Sequence, residues 1–302
     1  MVIAFIHNGK AFLPALHAYI NFFSKFDITL LTCSSKELTH INCDVEWHFM
    51  GLDQKRKTGA IKIHDYSSSS TPPFARLKNK LKVQLNTKPD YRLFPNEFIY
   101  NSFPFKDDVA FGFRDVGIVP TDSFNEYDTK KDFDFIYVGE MNLRRLQPLL
   151  TCFTKGALAT KSILFLSKDY QQIADTLKPF ENIKFRGPVP PDEVKKYIQA
   201  SRFGINYIPD IEPFNQQTST KLLEYAANKI PIISTRYPWI ESFQKKYGGK
   251  YYYLENDMSN FTWEAVMEAE YEFPDLSTWT WEYQIKNSGV LQFLESKFPG
   301  MT

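Results

Sequence analysis

Two doubly wound α/β domains in tandem are what this 302-residue sequence predicts. Three observations point there. Short, β-branched apolar runs alternate with amphipathic stretches in both halves of the chain, the pattern of parallel strands joined by helices. A polar, turn-rich gap at residues 121–132 (TDSFNEYDTKKD) separates the two series. The length suits two ordinary domains and is long for one. Domains are therefore expected at residues 1–125 and 126–302, with the last helix free to pack back on the first domain.

The first series opens with an apolar strand at residues 2–6 that ends at His7-Asn8-Gly9. A helical pattern begins near Leu13, and a second strand follows at 28–32. Strand, Gly-containing turn, helix, strand is the start of a βαβ unit. The second series opens at 133–138 and closes on Gly139. Helices at 146–153, 170–177, 192–200 and 220–227 then alternate with strands at 162–166, 183–185, 203–207 and 231–234. A last helix is expected at 287–298, with Val290, Leu291, Phe293 and Leu294 apolar. No short-period repeat is present.

Between residues 52 and 88 the character changes. Lys55, Arg56, Lys57, Lys62, Arg76, Lys78, Lys80 and Lys82 crowd there, with Asp65 against them. After Pro73, the side chains of Phe74, Leu77, Leu81 and Leu85 share one face of a helix and most lysines fall elsewhere. The segment reads either as a solvated basic helix or as an interfacial helix beside anionic lipid or a lipid-diphosphate.

Bulk properties narrow the class. Hydrophobic residues make up 43% and charged residues 24%, with a net charge of +1, which describes a soluble globular chain and gives no support for nucleic acid as a partner. Aromatic residues are 16% of the chain, enough for a large aromatic core or for ring faces on which sugar C–H groups stack. Cys33, Cys43 and Cys152 are scattered, which argues against a disulfide framework or structural zinc and for a reducing cytoplasm. The first apolar run is too short for a signal peptide, and no stretch approaches the roughly 18 apolar residues that span a bilayer.

Residues 213–235 (PFNQQTSTKLLEYAANKIPIIST) are the most informative. A polar loop leads into a helix that Ser219 or Thr220 can cap, then into a buried strand. Free N–H groups at that helix start form an anion site at the carboxyl end of a parallel strand. Lys221 and Glu224, three apart, share a helix face. They read either as a surface ion pair or as a lysine for a diphosphate and a carboxylate for a vicinal diol.

The segment resembles the donor-site motif of family 4-like and related GT-B glycosyltransferases (glycosyl transferases group 1). The resemblance rests on Lys221, Glu224-Tyr225-Ala226-Ala227 and Pro231-Ile232-Ile233, and it covers roughly residues 133–243. Residues 135–139 (FIYVG) look like the first strand of the family's donor domain. Residues 182–189 (NIKFRGPV) are similar to its strand and glycine loop, and Glu193, Tyr197 and residues 201–206 to the helix and strand that follow. The resemblance implies two Rossmann-like domains facing a cleft. It also implies donor contacts from Gly139, Arg144, Arg145, Arg186, Gly187, Val189, Tyr207, Gln216, Gln217, Thr218, Ser219, Thr220, Lys221, Leu222 and Glu224.

Two departures matter. The family's acidic residue eight positions before the ribose-binding glutamate is here Gln216, which can bond a hydroxyl but carries no charge. The arginine that often follows the first-strand glycine is here Glu140, so Arg144, or its neighbour Arg145, is expected to reach the diphosphate. On the acceptor side the resemblance implies the first loop, with His7 as catalytic candidate beside Lys221, and Asn8, Gly9 and Lys10 around it. His64-Asp65 is the alternative base. The want of a clear general base points to retention of anomeric configuration. Asp132-Phe133-Asp134 matches a metal-binding Asp-x-Asp but precedes a strand, so it reads as a solvated linker turn, and neither metal nor cofactor is expected.

The expectation is a metal-independent hexosyltransferase of surface polysaccharide biosynthesis, cytoplasmic and peripheral to the inner face of the membrane. Its donor would be a nucleotide sugar, most simply a UDP-sugar. Its acceptor would be a hydroxyl of a glycan or lipid-linked oligosaccharide, at an anionic membrane surface. The alternatives are a catalytically silent partner subunit of the same fold and another nucleotide-binding α/β enzyme, although no Gly-x-Gly-x-x-Gly follows either first strand.

Overall fold

The structure is a computed structural model. It describes residues 1–302 except 8, 10–12, 55–58, 72, 121–130, 143, 169, 188 and 302, and the side chains of 172, 191 and 192. In the first half the elements are β1 (Val2–Ile6), α1 (Pro14–Phe23), β2 (Thr29–Cys33), β3 (Val45–Phe49), β4 (Ile61–Asp65), α2 (Ala75–Leu85), β5 (Tyr91–Phe94), α3 (Glu97–Asn101) and β6 (Ala110–Phe113). In the second half they are β7 (Phe133–Val138), α4 (Gln147–Thr154), β8 (Ile163–Leu166), α5 (Gln171–Leu177), β9 (Ile183–Arg186), α6 (Pro191–Gln199), β10 (Ser201–Asn206), α7 (Thr220–Ala227), β11 (Ile232–Ser234), α8 (Pro238–Tyr247), β12 (Tyr252–Tyr253), α9 (Trp263–Glu268), α10 (Trp281–Lys286) and α11 (Val290–Lys297).

The chain divides into two units, Met1–Gly117 with Thr278–Thr302, and Ile118–Ser277. Each holds a six-stranded parallel sheet, in the order β2-β1-β3-β4-β5-β6 and β12-β11-β10-β7-β8-β9. Both are Rossmann-like, as the βαβ pattern predicts.

In the first unit, one sheet face packs Ile3, Phe5, Val45, Trp47, Ile63 and Leu93 against α1 and against Ile285, Val290 and Leu294 of the last two helices. The C-terminal segment thus belongs with the first unit. Its return is fixed at Gly112, where a Cβ would lie 1.8 Å from the Ser288 carbonyl oxygen, and by the Tyr91 hydroxyl donating to that oxygen at 2.9 Å.

The opposite face carries buried charge, since alternate residues of a strand point to opposite faces. Lys62 is fully buried and donates to Asp53 (2.8 Å) and Thr87 (3.2 Å), with Glu46 at 3.4 Å. Lys62 therefore leaves the basic surface segment to which the sequence assigned it. The alternative base also fails. His64 is sealed in β4 with its Nε2 3.1 Å from Asp53, and burial pulls its pKa down to about 4. Asp65 accepts from Tyr19 (3.0 Å), Trp47 (3.3 Å) and Arg114 (2.5 Å) in the interior. An acceptor hydroxyl has no access to either.

The second unit packs Phe135, Tyr137, Phe153, Phe165, Phe203, Ile205 and Phe261 around β7, β8 and β10. Asp134 stands inside β7, not in a solvated turn. Its carboxylate accepts from the Ser162 N–H and hydroxyl at 2.8 and 2.9 Å, which ties β7 to the start of β8. Among the described residues, no helix is long and apolar enough to cross a membrane.

Candidate functional site

The second sheet changes direction at one place. The chain runs outward from β7 through β8 to β9, then returns to the other side of β7 with β10 and continues to β11 and β12. The switch point lies between β7 and β10, and ligands of open α/β sheets bind beyond the strand carboxyl ends at such a point. Helix α7 is fastened there by three contacts. Ser219 caps it, its hydroxyl accepting from the Leu222 N–H at 3.4 Å and donating to Asn206 Oδ1 at 2.6 Å. Asn206, at the end of β10, donates to Ser234 and Tyr237 at 2.9 Å each, so three loops share one buried clasp. Tyr225 reaches between the strands, its hydroxyl accepting from the Val138 N–H at 3.0 Å. Gly204 makes room for it, since a Cβ there would lie 2.5 Å from the Tyr225 ring.

One turn before Tyr225, and on the same face, stands Lys221. Its stem passes beside Gly139, whose added Cβ would meet Lys221 Cε at 3.5 Å. Gly139 takes φ +130°, a conformation that suits glycine and lets the helix start approach the end of β7. The ammonium lies 4.5 Å from the Tyr137 ring centroid and 3.4 Å from its hydroxyl.

The electrostatics are unusual. Lys221 is only 8% exposed and, among the described residues, has no carboxylate at ion-pairing distance. Burial, with Arg144 nearby, brings its pKa down to about 7. Glu224 is half-buried, and burial pushes its carboxyl up to about 7 against the opposing pull of Lys221. The expected surface ion pair is therefore absent, and both groups are held short of full charge. Arg144 stacks 4.4 Å from the Phe214 ring centroid, and one of its guanidinium nitrogens is buried with no hydrogen-bond partner. Lys221 and Arg144 thus stand together at a helix start, with the charges of Glu140 and Glu224 only partly opposing the fall in the lysine's pKa.

The other sequence-predicted residues divide. Gln216 ends a 3-10 turn at Phe214–Gln216 and is half-buried, as are Gln217, Thr218 and Thr220 in the approach to α7. Arg186, Gly187 and Val189 line a cleft of about 660 Å³ along β9 and α6, with Tyr197 5.4 Å below the Arg186 guanidinium. That cleft does not include Lys221 or Arg144. Gly187 is obligatory, since a Cβ would fall 2.2 Å from the Ser167 carbonyl. Arg145 is exposed and lines a separate cleft beside α4 and α5. Tyr207 and Leu222 are core residues, and the Leu222 N–H is taken by the cap. His7 follows β1, beside the first sheet's own switch point between β1 and β3, and its Nδ1 accepts from the Gly9 N–H at 3.1 Å. Asn8 and Lys10 lie outside the described residues. Tyr137, Phe214 and Asn206 were not anticipated. The signals for them were an aromatic one residue before the last of the β7 run and a lone asparagine closing an otherwise apolar β10.

No protein-family model matches the sequence, and no curated protein matches it. Solved structures do resemble it. HepE of Anabaena, with UDP and glucose, matches at TM-score 0.62 and 10% identity over 98% of this chain and 99% of that one. A UDP-GlcNAc 2-epimerase of Methanocaldococcus jannaschii, with UDP-GlcNAc and UDP, matches at 0.59 and 13% over 97% and 100%. A glycosyltransferase of Rickettsia africae matches at 0.56 and 13% over 99% of each. At such identities the likeness is one of fold, and the chain has the GT-B-like fold, two Rossmann-like units each built on a six-stranded parallel sheet.

Proposed function

We propose that the protein is a glycosyltransferase that moves a hexose from a nucleoside diphosphate sugar to an acceptor hydroxyl. The observation that carries the proposal is Lys221, buried with no carboxylate at ion-pairing distance among the described residues, beside Arg144, one of whose guanidinium nitrogens is buried with no hydrogen-bond partner, at a helix start and a topological switch point. A diphosphate would supply the missing charge. Glu224, one turn on, would accept bonds from the two ribose hydroxyls. Arg186, Gly187 and Val189 close β9, two strands from β7 and so about 10 Å across the sheet, which suits the base end of the nucleotide. UDP is the preferred base carrier because HepE and the M. jannaschii epimerase were both solved with UDP compounds.

In the reaction the acceptor oxygen bonds to the anomeric carbon as the bond from that carbon to the β-phosphate oxygen breaks. Negative charge grows on the departing diphosphate, where Lys221 and Arg144 stabilise the transition state more than the ground state. With His64 and Asp65 sealed in the sheet, we assign retention, the hydroxyl proton passing to the departing phosphate oxygen. No step needs a metal. The acceptor we propose is a glycan or lipid-linked oligosaccharide of surface polysaccharide biosynthesis, the lipid-linked form being suggested by the basic segment between Lys55 and Lys82.

The epimerase likeness gives a second reading, a nucleotide-sugar epimerase. Incubation of the pure protein with UDP-hexose, with and without a glycan acceptor, separates the two. Acceptor-dependent release of UDP supports transfer. An epimerised sugar without acceptor supports the second reading, and no turnover or binding with any UDP-, GDP- or TDP-sugar overturns both.

A further inference from the structure

Helix α2 is built inside out. The one residue it buries is polar, Asn79, whose side chain accepts from the Ser70 N–H (3.1 Å) and donates to the Ser102 carbonyl (2.9 Å). Val83, on the same side, packs against the Tyr66, Phe94, Ile99 and Phe103 cluster. At 100° per residue, Leu77, Leu81 and Leu85 fall within about 80° of one another, and Leu81 lies about 160° from Asn79. They are 55%, 45% and 47% exposed, and Phe74, which precedes the helix in a left-handed conformation (φ 63°), is 75% exposed. The helix therefore holds an apolar ridge outward on a polar peg.

Lys78, Lys80 and Lys82 flank that ridge, about 60–100° from Leu81, while Arg76 lies about 140° away. Arg76, Lys78, Lys80 and Lys82 lie within the helix, and residues 71–89 contain no acidic side chain. Lys78 is steadied by donating to the Thr71 carbonyl at 3.1 Å. Burial, and secondarily the charge of Lys78, lower the Lys82 pKa. Two copies of the ridge packed face to face would set lysines against lysines, because an isologous interface pairs each patch with itself. A surface that is apolar below and anionic at its edge satisfies both features together.

We infer that α2 docks the protein on an anionic lipid surface, with Phe74, Leu77, Leu81 and Leu85 entering the headgroup boundary and Lys78, Lys80 and Lys82 meeting lipid phosphates. No residue of the second unit enters this argument, so it stands or falls apart from the donor site. The docking would hold the first unit where a lipid-borne acceptor is presented.

The test is flotation of the full chain with vesicles of phosphatidylcholine alone or with about 30% phosphatidylglycerol, at low and high salt. Binding to the anionic vesicles is expected, weakened by salt. Replacing Leu77, Leu81 and Leu85 by Gln should reduce it about tenfold or more, and Lys78→Glu with Lys80→Glu should do the same, with the melting temperature unchanged. Should either variant fail to fold, Leu81→Trp reports alone. Its fluorescence shifts to the blue and is quenched by brominated acyl chains if the ridge enters lipid. No binding by the wild type, equal binding to neutral vesicles, undiminished binding of the Gln variant, or an unshifted Trp would overturn the inference. So would a dimer of the wild type that the Gln variant dissolves.

Discussion

Helix α7 buries a lysine, and helix α2 exposes three leucines. Each reverses the ordinary assignment of residue to environment, and the two reversals differ in what sustains them. At α7 the surroundings are rigid. The Ser219 cap, the Asn206 clasp and the Tyr225 insertion fix the helix start, so Lys221 is held where its charge is penalised. At α2 a single peg, Asn79, together with Val83, holds the inner side, while Leu77, Leu81 and Leu85 on the outer side are exposed. The first is a buried cationic helix start, the second an exposed apolar ridge.

The largest effects should come from breaking the start of α7. Lys221→Ala and Glu224→Ala should each lower transfer by about 2–4 kcal/mol of transition-state stabilisation, comparable to loss of one oxyanion donor. Steady-state rates at saturating donor would show this, and wild-type rates in both variants would remove the assignment. Tyr225→Phe leaves the buried Val138 N–H without its acceptor and should cost about 1–3 kcal/mol of stability in a denaturant titration. Ser219→Ala removes a cap and one arm of the clasp and should cost about 1 kcal/mol, read as a lowered melting temperature.

The smallest effect has the clearest sign. The folded state holds Lys221 near 7, below its ordinary 10.5, so burial costs stability fully below pH 7 and progressively less as the pH rises to 10.5. Glu224, raised from 4.5 to about 7, costs stability increasingly from pH 4.5 to 7 and constantly above. Lys221→Met should therefore melt no lower than the wild type at pH 6 and lose the rise in stability above pH 7. A variant that melts lower at pH 6 would mean that the lysine is already paired.

Legibility in the sequence followed the same divide. The second unit was readable because its strands are short apolar runs between polar turns, so β7 and α7 fell where the periodicity put them. In the first unit β3 (VEWHF) and β4 (IKIHD) carry polar or charged residues at alternate positions and were not read as strands, Lys62 being placed in the basic surface segment. They are buried because Lys62, Asp53, Glu46 and His64 pair with one another, although His64 Nδ1 keeps no partner, a long-range arrangement that local pattern does not encode. The return of α10 and α11 to the first sheet is also a long-range fact: the sequence left the last helix free to pack there, and the close approach at Gly112 that fixes it is visible only in the fold. At the site, Lys221, Glu224 and Arg144 were legible from motif and charge. The aromatic supports Tyr137 and Phe214 were not, since an aromatic in an apolar run signals core and nothing more.

Calorimetric titration of UDP into the wild type and Lys221→Met at pH 8, in two buffers of different ionisation enthalpy, tests the central claim directly. At that pH Lys221 is mostly neutral, so a diphosphate that recharges it must draw a proton from the buffer. The account predicts proton uptake by the wild type and weaker, proton-silent binding by the variant. Equal affinity in both, with no proton taken up by either, would contradict it.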